Sequence, residues 1–372
     1  IGAGYYLVEV YTRQGSYKKA EKVLVRLRNL RPDDQSVMED LVRVYRANSK
    51  PEEAIALLLR LAETSPGRER DYFNQIAEIK TDLQQDGEAI EYARRALEKS
   101  PNDPVAYQRL AERYQAMQKQ DEAISAYQKA IELSPRSFDV YFILARLYVN
   151  RGERSKAALL YREIIQSASN QEIVHKAGQE AVELEWLAGT LGDLERRIAP
   201  LVVGPTSKPV YRRVLVQLYG RYVPDLAGKL NASNKSTRDE ARRELKRLGS
   251  HGLRPLLAAL ADEEDIGQQQ IAIAVLGYVG NQAAAAPLVR LARTETVSDS
   301  KTLIPTIDME ARIEALVAAG RLADPRTIPD LITLSKHKDH PMRAAAVFAL
   351  GQTADRRSLK ALFAATGDDS PS

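Results

Sequence analysis

Few side chains in this sequence combine a type and a spacing that could do chemistry. The 372 residues include four histidines and no cysteine, which excludes disulfides, thiol nucleophiles, iron–sulfur clusters and cysteine zinc sites. His337 and His340 stand three residues apart, so on a helix both rings would share one face and could bind a metal ion. They lie in a polar stretch beside Pro341, and we expect a solvated turn there instead.

Motifs of catalysis and cofactor binding are also missing from the sequence. It has no phosphate-binding loop, no glycine-rich dinucleotide motif after a strand and no HExxH zinc motif. Ser250 precedes His251, but two neighbours in sequence do not make a catalytic pair. We therefore predict no enzyme activity, no catalytic or metal-binding residues and no cofactor.

The densest basic stretch runs from Lys235 to Arg254 and is interrupted by acidic residues. Lysine and arginine total 54, and aspartate and glutamate total 50, so the formal net charge of +4 does not favour nucleic-acid binding overall. This stretch could contact an acidic partner or a nucleic-acid backbone, whereas charges of mixed sign are typical of a solvated helix face. The residues of this candidate second surface are Arg238, Arg242, Arg243, Lys246 and Arg247.

An internal repeat must position these side chains. Prolines recur at intervals of 34 or 35 residues, as Pro32, Pro66, Pro101 and Pro135. Alanines follow the same rhythm, as Ala20, Ala54, Ala89, Ala123 and Ala157. Each unit has an apolar stripe at helical spacing, and the small alanine suits a close helix crossing. This pattern resembles the tetratricopeptide repeat (TPR), a helix–turn–helix unit, in five copies over residues 1–171.

The third of these copies is irregular. Tyr72, Ile76, Ile79 and Leu83 form its stripe, and the periodic alanine and proline that follow fall one residue late. We predict that the extra residue lies in the turn around Gln84–Gly87.

The TPR resemblance implies a concave groove, lined by the first helix of each repeat opposite its packing stripe, that binds partner segments. The matching residues are Tyr5, Tyr6, Glu9, Arg13, Glu39, Arg43, Arg46, Arg70, Phe73, Asn74, Lys80, Arg109, Glu112, Phe142 and Arg146. Arginine and aromatic residues are enriched at binding hot spots, and basic residues slightly outnumber acidic ones here. We expect a protein partner that offers an acidic or helical peptide segment. The alternative is a hydrated groove whose ligand surface lies elsewhere.

Residues 172–234 keep helical periodicity but lose the repeat motif. We expect one helix over Glu172–Gly189, a second that begins at the N-cap Asp193, and a third over Val210–Leu230 that is interrupted or kinked near Pro224. A polar connector follows. These helices are predicted to be degenerate and TPR-like.

A second repeat pattern begins near Arg238, in which an alanine-rich helix ends in Leu-Gly or Ala-Gly and is followed by a turn and an apolar helix. The dipeptides are Leu248-Gly249, Leu276-Gly277, Ala319-Gly320 and Leu350-Gly351, and the following helices are Leu253–Leu260, Ala284–Leu291, Ile328–Leu334 and Leu359–Ala365. The last two turns are near copies. This pattern resembles HEAT repeats, more closely the bilin-lyase type, in about four units over residues 235–372.

One HEAT interval is longer than the others. The excess lies in Thr294–Ile307, which is predicted to be either a passive loop or a recognition insert. Asp308 and Asp339 each stand four residues before an arginine, Arg312 and Arg343, which is the spacing of an ion pair at a helix start.

These patterns predict an all-α solenoid, in which a TPR superhelix continues into a HEAT-like array. The predicted domains are 1–171, 172–234 and 235–372. The chain resembles bacterial TPR/HEAT scaffold proteins, which implies a non-catalytic adaptor inside a larger bacterial assembly. Two alternatives stay open: a regulatory or substrate-recruiting arm of an enzyme whose catalytic domain is outside this chain, and a HEAT-based nucleic-acid binder.

The sequence says less about cellular compartment and oligomeric state. No apolar run reaches the roughly 18 residues of a membrane-spanning helix, so we expect no membrane span. A helical pattern is under way soon after Ile1, and we expect a fragment of a longer chain or a processed product. The cytoplasm is favoured over the periplasm, and the oligomeric state is left open.

Overall fold

The computed structural model describes residues 2–203, 207–262, 264–279, 281–294 and 308–367. These residues form twenty α-helices and three short 3-10 helices, and no strand occurs among them. The all-α solenoid prediction is therefore confirmed. The chain divides into two compact units, Ile1–Arg151 and Gly152–Ser372.

The N-terminal unit consists of helices joined by short turns, in which successive helices pack against each other. They are α1 (Gly2–Arg13), α2 (Tyr17–Leu30), α3 (Gln35–Ala47), α4 (Pro51–Thr64), α5 (Glu69–Asp82), α6 (Asp86–Lys99), α7 (Pro104–Ala116), α8 (Gln120–Leu133) and α9 (Phe138–Asn150). The periodic alanines Ala20, Ala54, Ala89 and Ala123 are fully buried in α2, α4, α6 and α8. A small side chain lets the backbones approach there, as the spacing predicted.

The turns between paired helices share one backbone conformation. A residue with positive φ occurs two positions after the first helix of each pair, and these residues are Gly15, Ser49, Gln84, Gln118 and Gly152. Only glycine adopts the left-handed region without steric cost. Ser49, Gln84 and Gln118 therefore adopt a backbone conformation that is uncommon for residues with a side chain.

The extra residue of the third repeat lies at the start of α5, not in the turn around Gln84–Gly87 as predicted. The helix α5 has 14 residues, whereas α3 and α7 have 13, and the following turn has its usual length. Counted back from Gln84, the buried stripe of α5 is Phe73, Ile76, Ala77 and Lys80, which corresponds to Tyr107, Leu110, Ala111 and Tyr114 in α7. Leu83 of the predicted stripe is 38% exposed. The turn keeps the same conformation in every helix pair, so the extra residue is accommodated at the start of the helix instead.

The second unit begins with longer helices and ends with short helix pairs. They are α10 (Arg154–Ser167), α11 (Gln171–Ala188), α12 (Leu191–Val203), α13 (Pro209–Lys229), α14 (Lys235–Leu260), α15 (Ile266–Leu276), α16 (Ala285–Arg293), α17 (Met309–Leu322), α18 (Ile328–Leu334), α19 (His340–Gln352) and α20 (Leu359–Ala365). The 3-10 helices Gln282–Ala284, Pro325–Thr327 and Arg356–Ser358 precede α16, α18 and α20.

One predicted helix boundary in the middle region is wrong. The helix α12 begins at Leu191, so Asp193 lies in its first turn and is not the N-cap. Gly189 adopts positive φ and ends α11, so the chain enters α12 almost at once. The helix α13 is assigned as one element through Pro224, with no interruption there.

The first HEAT-like unit also differs from its prediction, because α14 is one helix where two were expected. Gly249 and Gly252 do not break it, and neither has positive φ. A Cβ atom at Gly249 would clash with the Val279 carbonyl oxygen, and one at Gly252 would lie 2.8 Å from the Tyr219 ring. Both glycines therefore permit close packing against neighbouring chain segments.

The same use of glycine recurs between the later helices. A Cβ atom at Gly277 would lie 3.0 Å from the Ala318 Cα, and one at Gly320 would lie 2.8 Å from the Ala349 Cα. These contacts join α15 to α17 and α17 to α19. At Gly351 no heavy atom would lie within 4 Å of an added Cβ.

The turns of three HEAT-like pairs are capped alike. Side-chain oxygens of Asn281, Asp324 and Asp355 accept the backbone amides two residues later, at 2.9–3.0 Å. The predicted insert Thr294–Ile307 lies outside the described residues except for Thr294. Within the described part of the chain, no helix is long and apolar enough to span a membrane.

Candidate functional site

The predicted groove residues lie on α1, α3, α5, α7 and α9, the first helices of the N-terminal repeats. Eight of them are exposed: Tyr6, Glu9, Arg13, Arg43, Arg46, Arg109, Glu112 and Arg146. Five are half-buried: Tyr5, Glu39, Arg70, Asn74 and Phe142. The remaining two, Phe73 and Lys80, are buried.

Four predicted residues meet in a cavity between α1 and α3, which we name the α1–α3 cavity. It encloses about 400 Å³ and is lined by Tyr5, Val8, Glu9, Thr12, Arg13, Asp40, Arg43 and Val44. The buried Val8 and Val44 contribute apolar surface, whereas the charged side chains come from one face of each helix. The cavity therefore combines apolar contact area with charged groups.

The charged groups of this cavity are paired within their own helices. Arg13 Nη2 lies 2.7 Å from Glu9 Oε1 on α1, and Arg43 Nη2 lies 3.2 Å from Asp40 Oδ1 on α3. The arginine side chains remain 79% and 70% exposed. Such exposed pairs contribute little to stability, so their guanidinium groups can be redirected to a ligand at low cost.

Two acidic groups at or beside the cavity have shifted pKa values, and burial causes the shift at one of them. Burial raises the pKa of the Asp40 carboxyl, and the nearby carboxylates Glu39 and Asp34 act in the same direction while Arg43 opposes them. Tyr5 donates its hydroxyl proton to Asp34 Oδ2 at 2.7 Å, and this hydrogen bond lowers the pKa of Asp34. A carboxyl group whose pKa is raised by burial in a cavity is a candidate binding-site residue.

A second cluster joins α3, α5 and α7 through Glu78, which was not among the predicted residues. Its carboxylate lies 3.9 Å from Arg46 Nη1 and 3.7 Å from Arg109 Nη1. Arg46 also lies 3.6 Å from Asp82. Counted back from Gln84, Glu78 occupies the same repeat position as Glu112. The shifted register of α5 would have identified it from the sequence.

The same register explains the two groove predictions that are wrong, Phe73 and Lys80. Phe73 is 6% exposed, with the Arg95 guanidinium 4.3 Å from its ring centroid, and it occupies the position of Tyr107. Lys80 is also 6% exposed, lies 3.0 Å from Glu88, and occupies the position of Tyr114. Both are packing positions, so neither side chain is presented to a partner.

The predicted second surface on α14 is only partly available. Arg238 donates from Nη1 to the carbonyl oxygens of Ala232 and Ser233, each at 2.7 Å. Arg247 lies 2.7 Å from both Glu195 and Glu244. These two arginines are therefore structural. Arg242, Arg243 and Lys246 are exposed, although Arg242 also lies 3.2 Å from Asp239.

The histidine pair lies where α19 begins. His337 Nδ1 accepts the Asp339 backbone amide at 3.1 Å. Among the described residues, no group of three or more His, Asp or Glu side chains could hold a metal ion.

Comparison with known families agrees with these repeat positions. Tetratricopeptide-repeat models match residues 6–69 and 111–152, and a model described as HEAT repeats matches residues 300–372. The chain carries TPR and HEAT repeats. The TPR matches include every residue that lines the α1–α3 cavity except Tyr5, and the HEAT match includes α17 to α20.

Solved TPR proteins resemble the chain in fold alone. YrrB, described as a TPR protein with an unusual peptide-binding site, is 19% identical, with 45% of this chain and 87% of YrrB covered and a TM-score of 0.34. MamA from Desulfovibrio magneticus RS-1 is 16% identical over 44% of this chain and 93% of its own, with a TM-score of 0.36. A TPR protein from Parabacteroides merdae is 15% identical over 64% and 96%, with a TM-score of 0.38. A search of the curated proteins finds no significant match.

Proposed function

We propose that this TPR/HEAT chain is a non-catalytic adaptor that binds a segment of a protein partner on the first-helix face of its N-terminal unit. The observation that carries the proposal is the α1–α3 cavity, where Tyr5, Glu9, Arg13 and Arg43 converge. Repeat arrays bind partners through such series of first helices. We further propose that the adaptor acts within a larger assembly and holds a second partner with its HEAT half.

The chemistry of the cavity favours a partner segment with acidic and apolar side chains. An apolar side chain would cover Val8 and Val44, which line the cavity. Carboxylates would bind the exposed guanidinium groups of Arg13 and Arg43. Hydrogen bonds to a charged group contribute about 1.5–3 kcal/mol each, so two arginines account for a specific but reversible contact.

The proposal is tested by affinity capture with the double variant Arg13→Glu/Arg43→Glu, followed by quantitative mass spectrometry. We expect it to lose the partner that the wild-type protein retains, because both charges at the cavity are reversed. The matched control is Arg26→Glu, an exposed arginine of α2 that does not line the cavity. Retention of the same partners by the double variant would contradict groove binding.

A purified partner segment then allows a quantitative measurement. Isothermal titration calorimetry should show an affinity at least about tenfold lower for the double variant, which corresponds to about 1.4 kcal/mol. The thermal unfolding midpoint should stay unchanged, because both side chains are exposed.

A further inference from the structure

A cleft between α12 and α14 has the features of a second binding site. This α12–α14 cleft encloses about 510 Å³. Its α12 wall carries Arg196, which pairs with Asp193 of the same helix, and an apolar strip of Ala199, Pro200 and Val203, of which Val203 is 64% exposed. Its α14 wall is polar and basic, and consists of Arg247, Ser250, His251 and Arg254. One wall can therefore contact apolar groups while the other contacts acidic groups.

The base of the cleft is held by a buried ionic cluster. Glu195 is fully buried, and its Oε2 lies 2.7 Å from Arg247 Nη2. Tyr219 donates its hydroxyl proton to Glu195 Oε1 at 3.1 Å, and Arg247 also binds Glu244. These bonds connect α12, α13 and α14. The walls are thus fixed before any ligand binds, which reduces the entropy lost on binding.

Arg254 of the basic wall has no acidic neighbour on its own helix. From Leu245 to Leu260, α14 contains Lys246, Arg247, His251 and Arg254 and no acidic residue, and Glu244 just before this stretch pairs with Arg247. Arg247 is compensated by the buried carboxylate. Arg254 is exposed and makes no ion pair within the part of the chain that the structure describes. Its guanidinium group is available to an incoming carboxylate.

We infer that the α12–α14 cleft binds an acidic amphipathic segment of a partner protein. Carboxylates of the segment contact Arg254, and its apolar side chains cover Pro200 and Val203. A nucleic acid suits the cleft less well, because its affinity comes from many phosphate contacts and an exposed apolar wall adds nothing to them. This inference makes the second-surface part of the proposed function specific, and it moves that surface towards Arg254.

Fluorescence anisotropy with the full chain tests the inference. The probe is a fluorescein-labelled synthetic peptide of about 14 residues, with glutamate on one helical face and leucine on the other. We expect Arg254→Glu and Val203→Asp each to weaken its binding at least about tenfold. Arg242→Glu is the matched control, since this exposed arginine of α14 does not line the cleft, and it should change the affinity less than about threefold.

Further arms of the experiment separate the alternatives. Arg13→Glu/Arg43→Glu should leave probe binding unchanged, so the cleft and the N-terminal groove can fail independently. Loss of binding in that variant alone would place the peptide in the groove and overturn the inference, as would equal binding by all variants or no binding at all. Tighter binding of a single-stranded oligonucleotide, with a steep salt dependence that Arg254→Glu abolishes, would identify a nucleic-acid site instead. Circular dichroism confirms that each variant is folded.

Discussion

At the scale of single residues, Lys80 shows how one side chain can occupy a packing position and stay paired. The equivalent positions in α3 and α7 hold Tyr45 and Tyr114, both buried. The stem of Lys80 replaces part of a tyrosine ring, while its ammonium group lies 3.0 Å from Glu88 and 3.7 Å from Glu52. Long cationic side chains commonly bury their stems in this way.

This arrangement predicts a small loss of stability for one substitution at Lys80 and a large loss for another. Lys80→Met keeps a similar volume and loses the hydrogen bond to Gln85 together with the ion pairs to two exposed glutamates, so it should cost about 1–2 kcal/mol of unfolding free energy. Lys80→Glu places an unpaired negative charge beside two carboxylates in a buried position and should cost about 3–5 kcal/mol. Urea denaturation measures both. Equal costs would mean that the charge at this position is solvated.

Individual arginines also differ by what surrounds them. Four of the arginines on α14 have different partners. Arg238 donates to backbone carbonyl oxygens and Arg247 binds a buried carboxylate, whereas Arg242 and Arg243 are exposed. Arg312 is another case, since its Nε donates to the Ala292 carbonyl at 2.9 Å while Asp308 caps the Ala311 amide. The predicted Asp308–Arg312 pair is therefore wrong. An arginine on a helix satisfies whichever acceptor the tertiary packing brings near.

At the scale of helices, three of the four repeated Leu-Gly or Ala-Gly dipeptides are close contact points, and they are not uniformly helix ends. Gly249 lies inside α14 and Gly320 inside α17. Removing the side chain lets the next helix approach the backbone, at a cost in helix propensity of about 1 kcal/mol. The gain is a closer contact between successive helices.

Gly320 and Gly351 form a matched pair for testing this role. Gly320→Ala should cost about 1–3 kcal/mol, because the new Cβ would lie 2.8 Å from the Ala349 Cα and the backbones would have to separate. Gly351→Ala should leave stability unchanged or raise it by up to about 1 kcal/mol, since no neighbour is near and alanine favours the helix. Thermal and urea unfolding distinguish them. A stabilising Gly320→Ala would contradict the close-contact interpretation.

At the scale of the whole molecule, the chain combines two repeat types, and the HEAT-like part is held by contacts between its helices. In the HEAT-like part, α16 packs on α17 and α17 on α19, and the Arg312–Ala292 bond lies between α17 and α16. These contacts do not use residues 295–307. The predicted domain boundaries 1–171, 172–234 and 235–372 stay predictions.

Shortening the predicted insert should therefore leave this part folded. Deletion of residues 298–304 changes the loop-closure entropy by less than about 1 kcal/mol, and unfolding should remain cooperative. Arg312→Ala is the comparison, because it leaves the Ala292 carbonyl without its buried donor and should cost about 1–3 kcal/mol. Differential scanning calorimetry measures both. Loss of the cooperative transition on deletion would show that the insert packs into the core.

The sequence by itself determined the fold class and the two repeat types, whereas the groove residues stay predictions. Period and side-chain size are local properties, and a 34-residue period with an alanine at each crossing suits stacked helix pairs. The tertiary structure decided the register of α5, the continuity of α14 and the partners of Arg247. A stripe read from spacing alone can slip by one residue, because both Tyr72 and Phe73 are apolar enough to be buried. Likewise, a glycine ends a helix or admits a neighbour according to whether a second backbone packs there, and that depends on residues far away in the chain.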